Sequence, residues 1–227
     1  MRSNANPALF ADSALLNYEG ESPKTHLSQQ PWGIGIYVFY LFRVHARDTV
    51  SGGGCLMGGF LQLCRPDECL PRVTDIDPAR LVSQGFQGLL VDLDNTLLPW
   101  KSLEVPWDVK QWVEKTKSLG LKLCIVSNTH NPRRLKRIAD ELGVLWMAHA
   151  LKPRRAGFVS SARRIGCLPE KVVVVGDQVL TDILGGNRAG MHTILVRPMH
   201  PREFVGTRIN RVIERLLLRL LGLWAEA

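Results

Sequence analysis

Two carboxylates one residue apart close an apolar run in this chain. Leu89, Leu90 and Val91 lead into Asp92 and Asp94 within the stretch VDLDNTLLPW at 91–100. Side chains alternate along an extended backbone, so Asp92 and Asp94 project on the same side of a strand end. Buried acids are costly unless ionised and compensated, and a divalent cation compensates both. The same pair also suits a solvated turn or a helix cap, so other residues must decide. Ser127 and Asn128 follow the apolar run Leu121–Val126. Lys152 follows Val144–Met147 and opens the helix behind it. Asp177 follows Val172–Val175, with Asp182 five positions further on.

Together these groups suit phosphoryl transfer, which needs an in-line nucleophile, a proton donor for the leaving oxygen and positive charge for the equatorial oxygens. Asp92 supplies a carboxylate nucleophile, and Asp94 a group that protonates the leaving oxygen and then deprotonates water. Ser127 and Lys152 hold phosphate oxygens. A hard cation with oxygen ligands, Mg²⁺, takes Asp92 and Asp177. Singly, each residue has an ordinary reading: Ser127 as a turn residue, Lys152 as a surface lysine, Asp182 as the cap of the next helix. It is their order, each at a strand end, that points to a site.

Strands are expected at Gly88–Leu93, Leu121–Val126, Val144–Met147, Val172–Val175 and Thr193–Val196. Helices fall between them: one from Pro106 to the Gly120 stop, one from Pro132 capped by Asn131 and ended by Gly143, one over Pro153–Ile165 and one over Val179–Ala189. A short helical turn over Pro78–Gln84 precedes the first strand. The uninterrupted apolar run at 172–175 is that of a parallel strand buried on both faces. Strands alternating with helices predict an α/β fold with an open parallel sheet, and ligands bind beyond the carboxyl ends of such strands.

The chain has 227 residues, 45% apolar and 22% charged, with a formal net charge of +8. That is a globular composition that favours anionic partners. The five cysteines form no C-x-x-C pair, which argues against a disulfide framework or zinc site and for a reducing cytoplasm. No stretch reaches the roughly 20 apolar residues that span a bilayer. Residues 1–56 lack a sustained period and read as a poorly ordered extension, with residues 57–227 forming the working domain. From Pro201 to 224 apolar residues keep helical spacing (Val205, Ile209, Val212, Ile213, Leu216, Leu217, Leu220, Leu221), with Arg208, Arg211, Arg215 and Arg219 on the other face. Such a basic amphipathic helix either packs on the sheet or adsorbs peripherally to the anionic inner face of a membrane.

The ordered set DLDNT at 92–96, SN at 127–128, Lys152 in LKP and GDQVLTD at 176–182 resembles the four motifs of the haloacid dehalogenase (HAD) superfamily. The resemblance spans about residues 60–210. It implies a Rossmann-like three-layer α/β/α sandwich and an aspartyl-phosphate formed on Asp92, with Asp94 as acid/base. It also implies phosphate binding by Ser127, Asn128 and Lys152, and a metal held by Asp92, the Asp94 backbone carbonyl and Asp177, supported by Asp182. RPDECLPRVTDIDPARL at 65–81 and PREFVGTRINR at 201–211 further resemble the YqeG subgroup of class III phosphatases, related to phosphatidylglycerophosphate phosphatases. Members of that subgroup begin near the position of Met57.

Spacing adds an independent point. The 30 residues between Thr96 and Ser127, and the 22 between Thr129 and Lys152, leave no room for a cap domain. An open site admits a bulky substrate such as a lipid phosphate, and Arg133, Arg134, Lys136, Arg137, Arg154 and Arg155 could contact a second phosphate or form solvated helix faces. Soluble phosphorylated metabolites are the alternative substrates. A nucleic-acid-binding role on the same fold is disfavoured, because aromatics are only 7% and no basic–aromatic stripe occurs.

Overall fold

Six parallel strands form one sheet in the order β1-β6-β5-β2-β3-β4. The computed structural model describes residues 56–199 and 216–222. The expectations for residues 1–55, and for most of the tail helix over 201–224, fall outside the described residues. The strands are β1 (Glu68–Leu70), β2 (Gly88–Val91), β3 (Lys122–Val126), β4 (Leu145–Met147), β5 (Val172–Gly176) and β6 (His192–Val196). The helices are α1 (Leu56–Leu63), α2 (Pro78–Ser83), α3 (Trp107–Ser118), α4 (Pro132–Leu142), α5 (Arg155–Arg164) and α6 (Leu184–Arg188).

Alternation along the central strands separates two apolar cores. Leu89 and Val91, Leu123 and Ile125, and Val173 and Val175 pack with Leu81 of α2, Val109 and Trp112 of α3, and Leu135 and Ile138 of α4. Leu90, Cys124 and Val126, with Val172 and Val174, face Phe158 and Ala162 of α5 and Ala189 behind α6. The result is the expected three-layer α/β/α sandwich. Each fully buried Leu or Val contributes about 1.5–3 kcal/mol, so the wholly buried β2 and β5 anchor the centre of the sheet.

Local chemistry sets the helix ends. Asn131 caps α4 by accepting from the Arg134 amide at 3.0 Å, Pro132 stands in its first turn, and Gly143 ends it in the left-handed region at φ 60°. Asp77 caps α2 through the Ala79 amide at 3.2 Å. The connection from β2 to β3 consists of a loop and α3, and that from β3 to β4 of a loop and α4.

One strand is added to the expected set and two expectations are corrected. An edge strand, β1, joins β6 in parallel, with Glu68 opposite Ile194; three residues are too short to show a period. The helix expected over Val179–Ala189 is a π-turn at Val179–Ile183 followed by α6, and the Ile183 amide reaches back to the Gln178 carbonyl at 3.3 Å. Lys152 does not open a helix: α5 starts at Arg155, and Asn128 holds Lys152 in the loop before it. In the tail, residues 216–220 are helical. There Leu217 is buried as expected, whereas Leu216 and Leu220 are exposed.

Candidate active site

The sheet order creates a switch point. From β2 the chain proceeds outward through β3 and β4, then returns to lay β5 against the other side of β2. Loops leaving β2 and β5 diverge there and leave a crevice at the carboxyl ends. Asp92 follows β2 and Asp177 follows β5, so neighbouring strands deliver both carboxylates to it.

Lys152 sits at the centre. Its side chain is only 4% exposed, and its Nζ donates to Asp182 Oδ1 at 2.6 Å and to Asp92 Oδ1. Burial alone would lower this lysine; Asp182 and Asp92 reverse that and hold the ammonium above the usual lysine range. For Asp92 the balance differs. Burial pushes its carboxyl well above the ordinary carboxylate range, Lys152 pulls it back, and Asp182 and Asp177 push it up again. Asp92, Asp177 and Asp182 thus gather near the Lys152 ammonium in a poorly solvated place.

The remaining groups support this centre. Asn128 grips the backbone of Lys152 from both sides: its Oδ1 accepts from the Lys152 amide at 2.8 Å, and its Nδ2 donates to the Lys152 carbonyl at 3.1 Å. Ser127 is buried, and its Oγ accepts from the Thr129 amide at 3.1 Å. Thr96 donates to Asp177 Oδ1 at 3.4 Å. Asp182 accepts from the Gln178 amide and the Thr181 hydroxyl, both at 3.3 Å. It therefore packs into the base of the site, and does not cap α6. Gly176 makes this packing possible, because a β-carbon there would overlap the Asp182 carboxylate.

Asp94 turns away from Lys152. Arg134 Nη1 donates to its Oδ2 at 3.0 Å, Nη2 makes a charge contact with Oδ1 at 2.9 Å without hydrogen-bond alignment, and the Lys101 amide donates to Oδ1 at 3.1 Å. Arg134 Nε also donates to the Ser102 carbonyl at 3.0 Å. Sequence reasoning grouped Arg134 with other basic residues of α4 and missed this partnership. Only its place in the first turn, at a strand's carboxyl end, hinted at it. Lys136, from the same group, instead pairs with Asp140 at 2.6 Å on an exposed helix face.

The donor chemistry suits a hard divalent cation: carboxylate and carbonyl oxygens gathered at the ends of neighbouring strands. Asp92 and Asp177 are the carboxylates that could hold it. Asp94 has only its backbone carbonyl to offer while its side chain is paired with Arg134. Both Asp182 oxygens are engaged, Oδ1 by Lys152 and Oδ2 by the Gln178 amide and the Thr181 hydroxyl. Among the described residues, no three His, Cys, Asp or Glu side chains form a ready-made cage.

Comparison with known proteins now bears on this geometry. Residues 149–198 match the HAD-hydrolase-like family model. The chain is 40% identical over 156 residues to the probable phosphatase YqeG of Bacillus subtilis, covering 69% of this chain and 90% of that protein. It is 31% identical over 157 residues to phosphatidylglycerophosphate phosphatase 1, chloroplastic/mitochondrial, of Arabidopsis thaliana, and 33% identical over 153 residues to its chloroplastic counterpart in Chlamydomonas reinhardtii. These alignments cover 66% and 63% of this chain but only 44% and 56% of the two relatives. The chain belongs to the HAD-like phosphatases. Within that class it falls with the YqeG group.

Proposed function

We propose that this phosphatase hydrolyses phosphate monoesters through an aspartyl-phosphate on Asp92 with Mg²⁺ bound, and that its substrate is a lipid phosphate of the phosphatidylglycerophosphate kind. The observation that carries the chemistry is the buried cluster in which Lys152 bridges Asp92 and Asp182 beside Asp177. The similarity to two phosphatidylglycerophosphate phosphatases supports the substrate class.

An Asp92 oxygen attacks phosphorus, the bond from phosphorus to the ester oxygen breaks, and Asp94 gives its proton to the departing alkoxide. Asp94 then takes a proton from water, whose oxygen displaces phosphate from Asp92. Lys152, kept cationic by its carboxylate partners, and the Ser127 hydroxyl hold the phosphoryl oxygens, and Asn128 fixes the position of Lys152. Mg²⁺ held by Asp92, Asp177 and the Asp94 carbonyl would supply positive charge to the phosphoryl group and offset the carboxylates. Short connections of one loop and one helix leave the crevice open to a large leaving group.

Phosphate release should be measured on detergent-dispersed phosphatidylglycerophosphate and on soluble sugar and nucleotide phosphates. Turnover of the lipid that needs Mg²⁺ and falls by at least about a thousandfold in Asp92→Asn is expected. Activity confined to the soluble esters would overturn the lipid assignment, and Asp92→Asn at wild-type rate would overturn the mechanism.

A further inference from the structure

Outside the catalytic cluster, the mouth of the site carries exposed apolar side chains with no role in the chemistry. Trp107 is 74% exposed, Leu151 54% and Leu103 47%. All three lie at the carboxyl end of the sheet, on segments tied to the reacting groups. Leu103 belongs to the loop between β2 and α3, which is fastened to Asp94 through the Lys101 amide and to Arg134 through the Ser102 carbonyl, and Trp107 is the first residue of α3 at the end of that loop. Leu151 immediately precedes Lys152. Its φ of 54° is a left-handed conformation that costs a branched residue about 1 kcal/mol. Leu151 is thus both strained and exposed.

Charge at the mouth has one dominant sign. Lys101, Arg133, Arg154 and Arg155 are all exposed there. The first turns of α4 and α5 contain no acid. Cations at helix amino ends oppose the helix dipole, an unfavourable arrangement that a facing anionic surface relieves. Among the described residues the opposing acids are Glu104 and Asp108, and Asp108 lies 3.8 Å from Arg72. Indole and leucine side chains bordered by cations match the region between lipid headgroups and acyl chains.

We infer that this mouth is a docking surface for an anionic phospholipid bilayer, with Leu103, Trp107 and Leu151 entering the headgroup boundary and Lys101, Arg133, Arg154 and Arg155 facing lipid phosphates. The inference rests on the lipid-phosphate reading for its purpose, since docking here aims the crevice at the membrane. It is separate from adsorption by the tail. Exposed Leu119, Leu145 and Leu168 lie at the opposite end of the sheet and could not present the site to a bilayer.

The test uses the full-length protein and sedimentation with vesicles of phosphatidylcholine alone or mixed with phosphatidylglycerol. Neither lipid is a phosphate monoester, so binding is read independently of the substrate. Wild type should partition onto the anionic vesicles only. Leu103→Ser/Trp107→Ser and, separately, Arg133→Glu/Arg155→Glu should each weaken partitioning by at least about tenfold, with turnover of soluble p-nitrophenyl phosphate unchanged. The far-end control Leu119→Ser/Leu168→Ser should bind as wild type does.

Wild type that ignores phosphatidylglycerol, mouth variants that bind normally, or a far-end control that weakens binding equally would each overturn the inference. So would tight binding to a short single-stranded RNA with none to vesicles. Mouth-dependent vesicle binding with hydrolysis of soluble esters only would instead refute the lipid substrate and leave the docking surface standing.

Discussion

Lys152 and Arg134 divide the electrostatic work of the site between them. Lys152 neutralises the buried Asp92 and Asp182; Arg134 holds Asp94, whose side chain is 25% exposed. Removing one partner of a buried ion pair costs about 3–5 kcal/mol because the other charge is left uncompensated. Lys152→Met should therefore lower the melting temperature and abolish turnover. Added Mg²⁺ should raise the melting temperature of this variant more than that of wild type, because the cation meets a larger charge deficit; equal shifts would show that it binds elsewhere. Asn128→Ala loses two hydrogen bonds to the Lys152 backbone, worth about 1–3 kcal/mol together. It should reduce kcat/KM by about tenfold or more, measured by steady-state kinetics beside a thermal melt. At this scale the sequence shows the candidate site residues but not all of their partners. Asp92, Lys152 and Asp182 each carry a motif-level signal. The Asp94–Arg134 pair joins positions 40 residues apart, and no local spacing anticipates it.

At the level of elements, the turn after β5 is packed most tightly. Gly176→Ala drives a β-carbon into the Asp182 carboxylate, so turnover should fall sharply while far-ultraviolet circular dichroism, which reports the remaining helices, stays close to wild type. The edge strand supplies a pH prediction. Arg80 donates to both Glu68 oxygens, at 2.9 and 2.6 Å. That bonding, opposed by burial and aided by His192, holds the Glu68 carboxyl below its ordinary value. A carboxyl depressed on folding contributes its full stability above the unfolded-state pKa and loses it as pH falls through the folded-state value. Glu68→Gln should accordingly be less stable than wild type at neutral pH, and its urea midpoint should fall less between pH 6 and pH 3. The amphipathic helices and the all-apolar β5 were legible because one period or one burial pattern runs through each. β1 was not, since long-range pairing with β6 and the Arg80–Glu68 contact create it. The π-turn escaped for another reason: its apolar spacing over five residues resembles that of an α-helix, and the extra residue is absorbed in bringing Asp182 inward.

For the whole molecule, Cys64, Cys69, Cys124 and Cys167 form no disulfide among the described residues, and Cys64, Cys124 and Cys167 are buried. Burial pushes the Cys124 thiol up to about 12 and raises that of Cys167 against the pull of Lys122. Site-resolved alkylation of the folded protein at pH 8 should label Cys69 well before those three; rapid labelling of Cys124 would mean that the two cores open readily. No helix of the described residues is long and apolar enough to cross a membrane.

The strand order also governs how the polypeptide matures. Among the described strands β1 leaves the ribosome first, and the described strand it pairs with is β6, with Leu70 opposite Val196. β2 acquires its second neighbour only when β5 arrives, Val91 meeting Val175. During synthesis at about 5–20 residues per second, β1 must therefore wait several seconds for its partner. In that interval β2, β3 and β4 can assemble, but the β2 edge that will receive β5 stays open, and the Asp92 half of the crevice exists without the Asp177 half. Partners so distant in sequence also slow the final closure. The Asp92 and Asp177 sides of the crevice therefore meet only after β5 has been made, and chains stalled before that point will expose an apolar strand edge to chaperones.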